Sequence, residues 1–310
     1  MRAAPSVLIF TVTAGLGQGF FVALLLSAYL AAQANLALPA SALALGGLIC
    51  VVLLGVGLAA SFFHLGHPLR AWRAASMWRT SWLSREVIVL PLTMAMILAW
   101  SVAVWMDWST RTALAGLAFV ATLVLWLCTA MIYACLRFLQ EWAHPVTVLN
   151  FVLIGLASGF TLNAFYWSLT PAEVPAAIPA ALLTLIAACA VRLWSLHRNA
   201  GLKAKSSAQS ALGINHPKIA QKSQGAMGGS FNTREYFHGK TLVFVVRARA
   251  IMLTLGFVLP AALCLATLWM PGPWLIGIAV LLQYIGLLTE RWVFFAQAKH
   301  PQNIYYQVVS

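Results

Sequence analysis

Charge is what this chain has least of. Only 8% of its residues are Asp, Glu, Lys or Arg, 62% are hydrophobic, and the mean hydropathy is +0.88. So little polar surface excludes a water-soluble domain of 310 residues. The five cysteines (Cys50, Cys128, Cys135, Cys189 and Cys264) fall inside apolar stretches and form no CxxC pair. They read as small core residues, which excludes an iron–sulfur ligand set and a disulfide framework. HExxH, a Walker loop, a nucleophile elbow and metal-cluster spacing are all missing. The seven histidines are His64, His67, His144, His197, His216, His238 and His300. All lie at or beyond one set of helix ends, which argues against a bis-His haem pair spanning a bilayer and leaves one haem at that inner surface as the weaker alternative.

What is present is a series of eight apolar runs, near 6–32, 41–63, 86–106, 112–138, 146–168, 176–197, 246–270 and 273–295. At about 20 residues each they cross roughly 30 Å of hydrocarbon as helices. The expected fold is therefore an all-α membrane protein of eight transmembrane helices, a single domain over 1–310. The first run is too long for a signal peptide and is interrupted by Gly15, Gly17, Gln18 and Gly19, so it reads as a retained helix.

The basic residues sort to one side. With eight crossings, both termini and the even-to-odd loops share a face, and every Lys and Arg of the 19 except Arg111 falls on it. The positive-inside rule makes that face, and both termini, cytoplasmic. The formal charge of +13 then describes a membrane face and not a nucleic-acid partner. Tryptophans mark both interfaces: Trp105, Trp108, Trp167, Trp269 and Trp274 outside, and Trp72, Trp78, Trp82, Trp142, Trp194 and Trp292 inside.

The outer loops are short, and Met270–Trp274 is a Pro/Gly turn between the last two helices. The inner segments 64–85 and 198–245 are long and polar, so a soluble partner is expected to dock there. Within the second, Lys203–Ser230 reads as flexible, and FNTREYFHGK as a stretch that orders against something. His67-Pro68, His144-Pro145, His216-Pro217 and His300-Pro301 read as helix stops. Gly15/Gly19 and Gly55/Ala59 are small-xxx-small patterns that permit close helix packing.

The densest polar run leads from helix 2 into helix 3, HLGHPLRAWRAASMWRTSWLSREV. It places His64, His67, Arg70, Arg73, Ser84, Arg85 and Glu86 at the inner boundary, with Ser84 expected as the N-cap and Glu86 in the first helical turn. A carboxylate there is favourable for electrostatic reasons alone. The sharper reading is a quinone head-group site. Quinone reduction takes up two protons and two electrons, and it needs hydrogen-bond partners, a titrating group and an apolar approach for the tail. His64 and Glu86 supply titratable groups at lipid depth, and the arginines favour negative charge developing on the ring. A second cluster ends helix 8, where Glu290 and Arg291 suggest an internal ion pair. Arg137 and Glu141 are placed as an i,i+4 pair at the end of helix 4. Asn150, Asn163 and Gln283 read as interhelical hydrogen-bonding residues.

Two motifs, His64-Leu65-Gly66-x-Pro68-x-Arg70 and Ser81–Glu86, resemble the membrane-anchor subunit of the dimethyl sulfoxide reductase family. Asn232–Tyr236 and Glu290–Ala296 resemble it too, and the likeness runs over the whole chain. The resemblance implies an anchor that holds no redox metal and exchanges electrons with ubiquinone or menaquinone. It implies one partner carrying iron–sulfur clusters and another carrying molybdopterin. It links His64 and Glu86 to the quinone site, with Arg70, Arg85 and Ser84 beside them and Glu290 and Arg291 as secondary candidates. In dimethyl sulfoxide reductase itself the catalytic subunits lie outside the cytoplasmic membrane, against the loop with this motif. Here that loop is basic, so the partners are expected on the cytoplasmic side of a bacterial inner membrane. That resembles the anchor of cytoplasmic quinone-linked sulfite dehydrogenases, in which electrons pass from sulfite to quinone. The alternatives are a quinol-oxidising anchor feeding a sulfoxide-type reductase, and a passive anchor without a quinone site.

Overall fold

The computed structural model describes residues 5–63, 67–172, 174, 176–203, 205, 207–219 and 241–298. All regular structure among the described residues is helical. Six membrane-length helices come first: α1 (Pro5–Gln33), α2 (Ala40–Phe62), α3 (Trp82–Trp105), α4 (Arg111–Ala134), α5 (Pro145–Ser168) and α6 (Ala177–Ala200). A short helix, α7 (Ala208–Leu212), follows. The seventh span is α8 (Leu242–Leu253) and α9 (Leu259–Ala266) joined by a π turn at Thr254–Val258, and α10 (Pro273–Ala296) closes the bundle. Among the described residues, eight helices are long and apolar enough to cross a membrane, as expected.

α1 and α5 form the centre, and they meet through glycine. A Cβ on Gly19 would lie 1.9 Å from the Gly155 carbonyl oxygen, and one on Gly159 would lie 2.0 Å from the Gly19 carbonyl carbon. The Gly15/Gly19 pattern therefore does what its spacing suggests, against a matching Gly155/Gly159 pair on α5. Gly55 and Ala59 do not: a Cβ on Gly55 would reach only the Met94 methyl at 3.6 Å, and Ala59 is exposed. The close approach on α2 uses Gly47, packed against Ser101 of α3.

The π turn has a local cause. Pro260 has no N–H for the carbonyl four residues back, and its ring crowds that carbonyl, so the helix widens just before it. The widened turn brings Gly256 against Gly286 of α10, where an added Cβ on Gly286 would sit 2.1 Å from the Gly256 nitrogen.

The two ends of the bundle differ. At the end carrying the basic residues (the basic end), Tyr133, Trp142, Phe151, Phe294 and Phe295 form one aromatic cluster. Trp142 also donates its indole N–H to the Phe294 carbonyl at 3.1 Å. At the opposite end the Tyr166 hydroxyl donates to the Ala42 carbonyl at 2.6 Å. Trp105, Trp108, Trp269 and Trp274 are exposed there, as interfacial anchors should be, but Trp167 is buried and donates to Asn163 Oδ1 at 3.0 Å.

Several boundaries differ from expectation. α3 starts four residues earlier than hydropathy suggests, because Ser81 is its N-cap and accepts from the Ser84 N–H at 3.4 Å; Ser84 itself lies inside the helix. α4 ends at Ala134, so Cys135 is exposed just past it, and Arg137 and Glu141 are not helical and form no ion pair with one another. Part of the stretch read as flexible forms α7, held by a Ser207/Ser210 capping box and closed by Gly213 at φ 67°. FNTREYFHGK lies outside the described residues, as do His64, His238 and His300.

Candidate functional site

Between α2 and α3 the chain forms a 3₁₀ helix, Pro68–Met77, with its Arg and Trp side chains outward. Arg70 is exposed, as are Arg73 and Arg79, whose guanidinium groups lie 5.7 and 5.4 Å from the Trp72 and Trp78 ring centres. Arg85 clamps the turn that follows. It donates to the carbonyls of Trp78 and Arg79, both at 2.9 Å, and stacks 4.2 Å over Trp82. Two of the arginines assigned to the candidate site, Arg70 and Arg85, are thus placed on the outside of the α3 N-terminus.

Ser84 and Glu86 point the other way. Both are 4% exposed. Because α3 begins at Trp82, Glu86 lies beyond the first turn, where backbone N–H groups are already engaged within the helix. The simple helix-terminus account of this carboxylate therefore fails. Its partner is instead a side chain of the next helix: the Thr129 hydroxyl of α4 donates to Glu86 Oε1. Outside the same helix end, Phe63, Met77, Trp78, Leu83 and Ile88 expose apolar surface. The group combines a buried carboxyl, a hydroxyl partner and an apolar approach, which is the chemistry a proton-exchanging, lipid-soluble ligand requires.

The second cluster is larger than the sequence suggests. Glu290 is pinned between two arginines: Arg192 Nε of α6 is 2.8 Å from Oε1, and Arg291 Nε is 2.9 Å from Oε2. Glu290, Arg192 and Arg291 are 0%, 1% and 2% exposed. The Arg291 guanidinium lies 4.0 Å over the Phe151 ring, so the aromatic cluster at the basic end also shields its charge. Arg192 passes for a loop cation in the sequence because it stands near the end of an apolar run, and its partner is far along the chain.

A cavity of about 20 Å³ lies between α1, α4, α5 and α10, with Thr129 and Arg291 both in its wall. It joins the two clusters across the bundle. Asn163 makes the interhelical bond expected of it, donating to Ser27 Oγ at 3.0 Å, whereas Asn150 Oδ1 and Gln283 Nε2 have no hydrogen-bond partner among the described residues. His144 is used structurally. Its Nδ1 accepts from the Val146 N–H at 3.1 Å and caps α5. Partial burial, with the Arg198 charge nearby, holds its pKa below the ordinary histidine value and favours that neutral acceptor. Among the described residues no group of His, Cys, Asp and Glu is arranged to hold a metal ion.

Residues 3–295 match the family model for the DMSO reductase anchor subunit (DmsC). The chain belongs to this anchor-subunit family. It is also 48% identical to a sulfite dehydrogenase subunit of Allochromatium vinosum, in an alignment covering 100% of both chains. In this anchor the family resemblance read from the α2–α3 motif extends over nearly the whole sequence. Eight apolar helices are what a multi-pass membrane anchor requires.

Proposed function

We propose that this anchor is the quinone-reactive subunit of a molybdopterin/iron–sulfur complex that oxidises sulfite at the cytoplasmic face of a bacterial inner membrane. The observation that carries the reading is Glu86, a carboxyl buried one turn inside α3, held by Thr129 and flanked by exposed apolar surface. Burying an ionisable group at lipid depth is costly and is usually retained for function. The sulfite dehydrogenase relative supports the substrate class. The basic face supports cytoplasmic partners.

In this reading quinone is the second substrate. Sulfite oxidation by the catalytic partner releases two electrons, which the iron–sulfur partner passes on to quinone. Ubiquinone or menaquinone enters laterally past Leu83 and Ile88, and its head group reaches the α3 N-terminus. Glu86 transfers a proton to a ring oxygen and is reprotonated from the basic face. Thr129 stabilises the carboxylate left behind. His64 stands as the second proton-exchanging group, and Ser84 lies in the same buried segment. Arg70 and Arg85 set a positive potential at the mouth.

The test is a sulfite assay on the purified complex with a soluble quinone analogue, comparing the parent with Glu86→Gln. The variant is expected to lose quinone reduction by on the order of 100-fold, the scale of a missing general acid, while sulfite oxidation with an artificial electron acceptor persists. Unchanged quinone reduction would remove Glu86 from the site.

A further inference from the structure

Trp126 and Arg291 carry two buried N–H donors, Nε1 and Nη1, that no atom of the described residues accepts. Each residue is 2% exposed, and both form walls of the cavity between α1, α4, α5 and α10. Buried donors in native proteins nearly always find a partner, because leaving one unmade is costly. The Gln18 amide in the same lining donates to the Thr122 carbonyl at 3.1 Å, and the hydroxyls of the lining say what that partner is. Thr11 donates to the Val7 carbonyl at 2.9 Å, Ser158 donates to the Gly155 carbonyl at 3.0 Å, and Thr129 donates to Glu86. The hydrogens of these hydroxyls are already engaged, which leaves oxygen lone pairs for the cavity. A group that meets both donors and lone pairs must accept and donate, as water does and a halide does not. The cavity volume of about 20 Å³ suits it, since a water needs roughly 10–15 Å³ and two to four polar partners.

We propose that this cavity is a built water site that bridges Trp126 Nε1, Arg291 Nη1 and the Thr129 hydroxyl, and so couples the Glu86 carboxyl to the buried Arg192–Glu290–Arg291 cluster. Trp126 and Thr129 lie almost one helical turn apart on the same face of α4, so one side of a single helix presents both to the cavity. The functional meaning of the bridge rests on the quinone reading of Glu86. When Glu86 gives up its proton, the Thr129 hydroxyl hydrogen points at the carboxylate. The water turns one hydrogen toward the Thr129 oxygen and keeps its own oxygen toward Arg291. No covalent bond in the bridge breaks. The guanidinium charge is relayed to the carboxylate by orientation alone. Thr129, Trp126 and Arg291 are positioning residues in this scheme. It also gives the second cluster a role without a second quinone: a net positive charge of two arginines against one glutamate, held in place by burial.

The test uses the purified complex and infrared difference spectra on reduction. The Glu86 carboxyl band is the one that Glu86→Gln removes. With the bridge, Thr129→Val and Trp126→Phe both shift that band and lower quinone turnover about tenfold. Thr129→Ser restores both, and artificial-acceptor activity stays at the parent's level throughout. A Trp126→Phe complex with the parent's band position and turnover overturns the proposal, because a lone Thr129–Glu86 bond predicts that result. A cryo-electron-microscopy map of the parent complex decides the point without any variant. Water density within hydrogen-bonding reach of Trp126 Nε1 and Arg291 Nη1 supports the bridge, and no density between them contradicts it. Failure of the quinone reading looks different: Glu86→Gln would then keep full turnover, while water density between Trp126 Nε1 and Arg291 Nη1 would still report the bridge.

Discussion

Burying a carboxyl away from water costs several kcal/mol unless a partner holds it, and Glu86 and Glu290, both buried at the basic end, meet that cost in different ways. Glu290 is neutralised by Arg192 and Arg291. Glu86 has a hydroxyl, not a cation, as its partner. An ion-paired carboxylate is a poor proton donor and a good structural element, while a carboxyl on a hydroxyl is free to exchange its proton. The roles assigned to the two follow from that difference. Glu290→Gln leaves two buried arginines without their counter-charge, which costs about 3–5 kcal/mol. Thermal denaturation of the complex is expected to show a lowered midpoint, while the surviving protein keeps the parent's ratio of quinone to artificial-acceptor activity. A selective loss of quinone activity would instead move the head group to α10. At this scale the sequence was only partly legible. Glu86, Glu290 and Arg291 stand out as rare charges at apolar boundaries. Arg192, Thr129 and Trp126 do not, because a cation at a helix end, a threonine and a tryptophan in an apolar run are ordinary until their distant partners are in place.

At the scale of the helices, hydropathy locates all eight spans, since each must satisfy its own backbone in lipid. It does not locate their ends. α3 gains its first turn from Ser81, a cap that adds no hydropathy, and that shift changes the meaning of Glu86 from a helix-terminus charge to a buried one. Small-residue spacing identifies the α1 face of the central crossing but equally flags Gly55/Ala59, because spacing alone does not say which face meets a neighbour. The central crossing gives a direct prediction. Gly159→Ala drives a methyl into the Gly19 backbone and is expected to destabilise the anchor by about 1–3 kcal/mol or more. Gly116→Ala, on an open face of α4 with nothing within 4 Å, is expected to be neutral or stabilising by up to about 1 kcal/mol. Detergent-solubilised yield and melting temperature of the two variants check the contrast, and equal losses would contradict the packing described.

For the whole molecule, polarity is concentrated at one end. The exposed arginines of the 3₁₀ segment, the aromatic cluster, both glutamate sites and the start of the long basic segment all lie there. The opposite end offers short loops and exposed tryptophans. An anchor working as proposed, taking electrons from a soluble partner and giving them to a membrane carrier, needs docking and quinone chemistry at the same end, and this distribution fits that proposal. The measurement that bears most directly on this account is photo-crosslinking with an azido-quinone in the membrane-embedded complex, with the labelled peptides identified by mass spectrometry. The account predicts label at the α3 N-terminus and the adjoining Pro68–Met77 segment, displaced by excess quinone and diminished in Glu86→Gln. Displaceable label confined to the opposite end of the bundle, or to α8–α10, would contradict it.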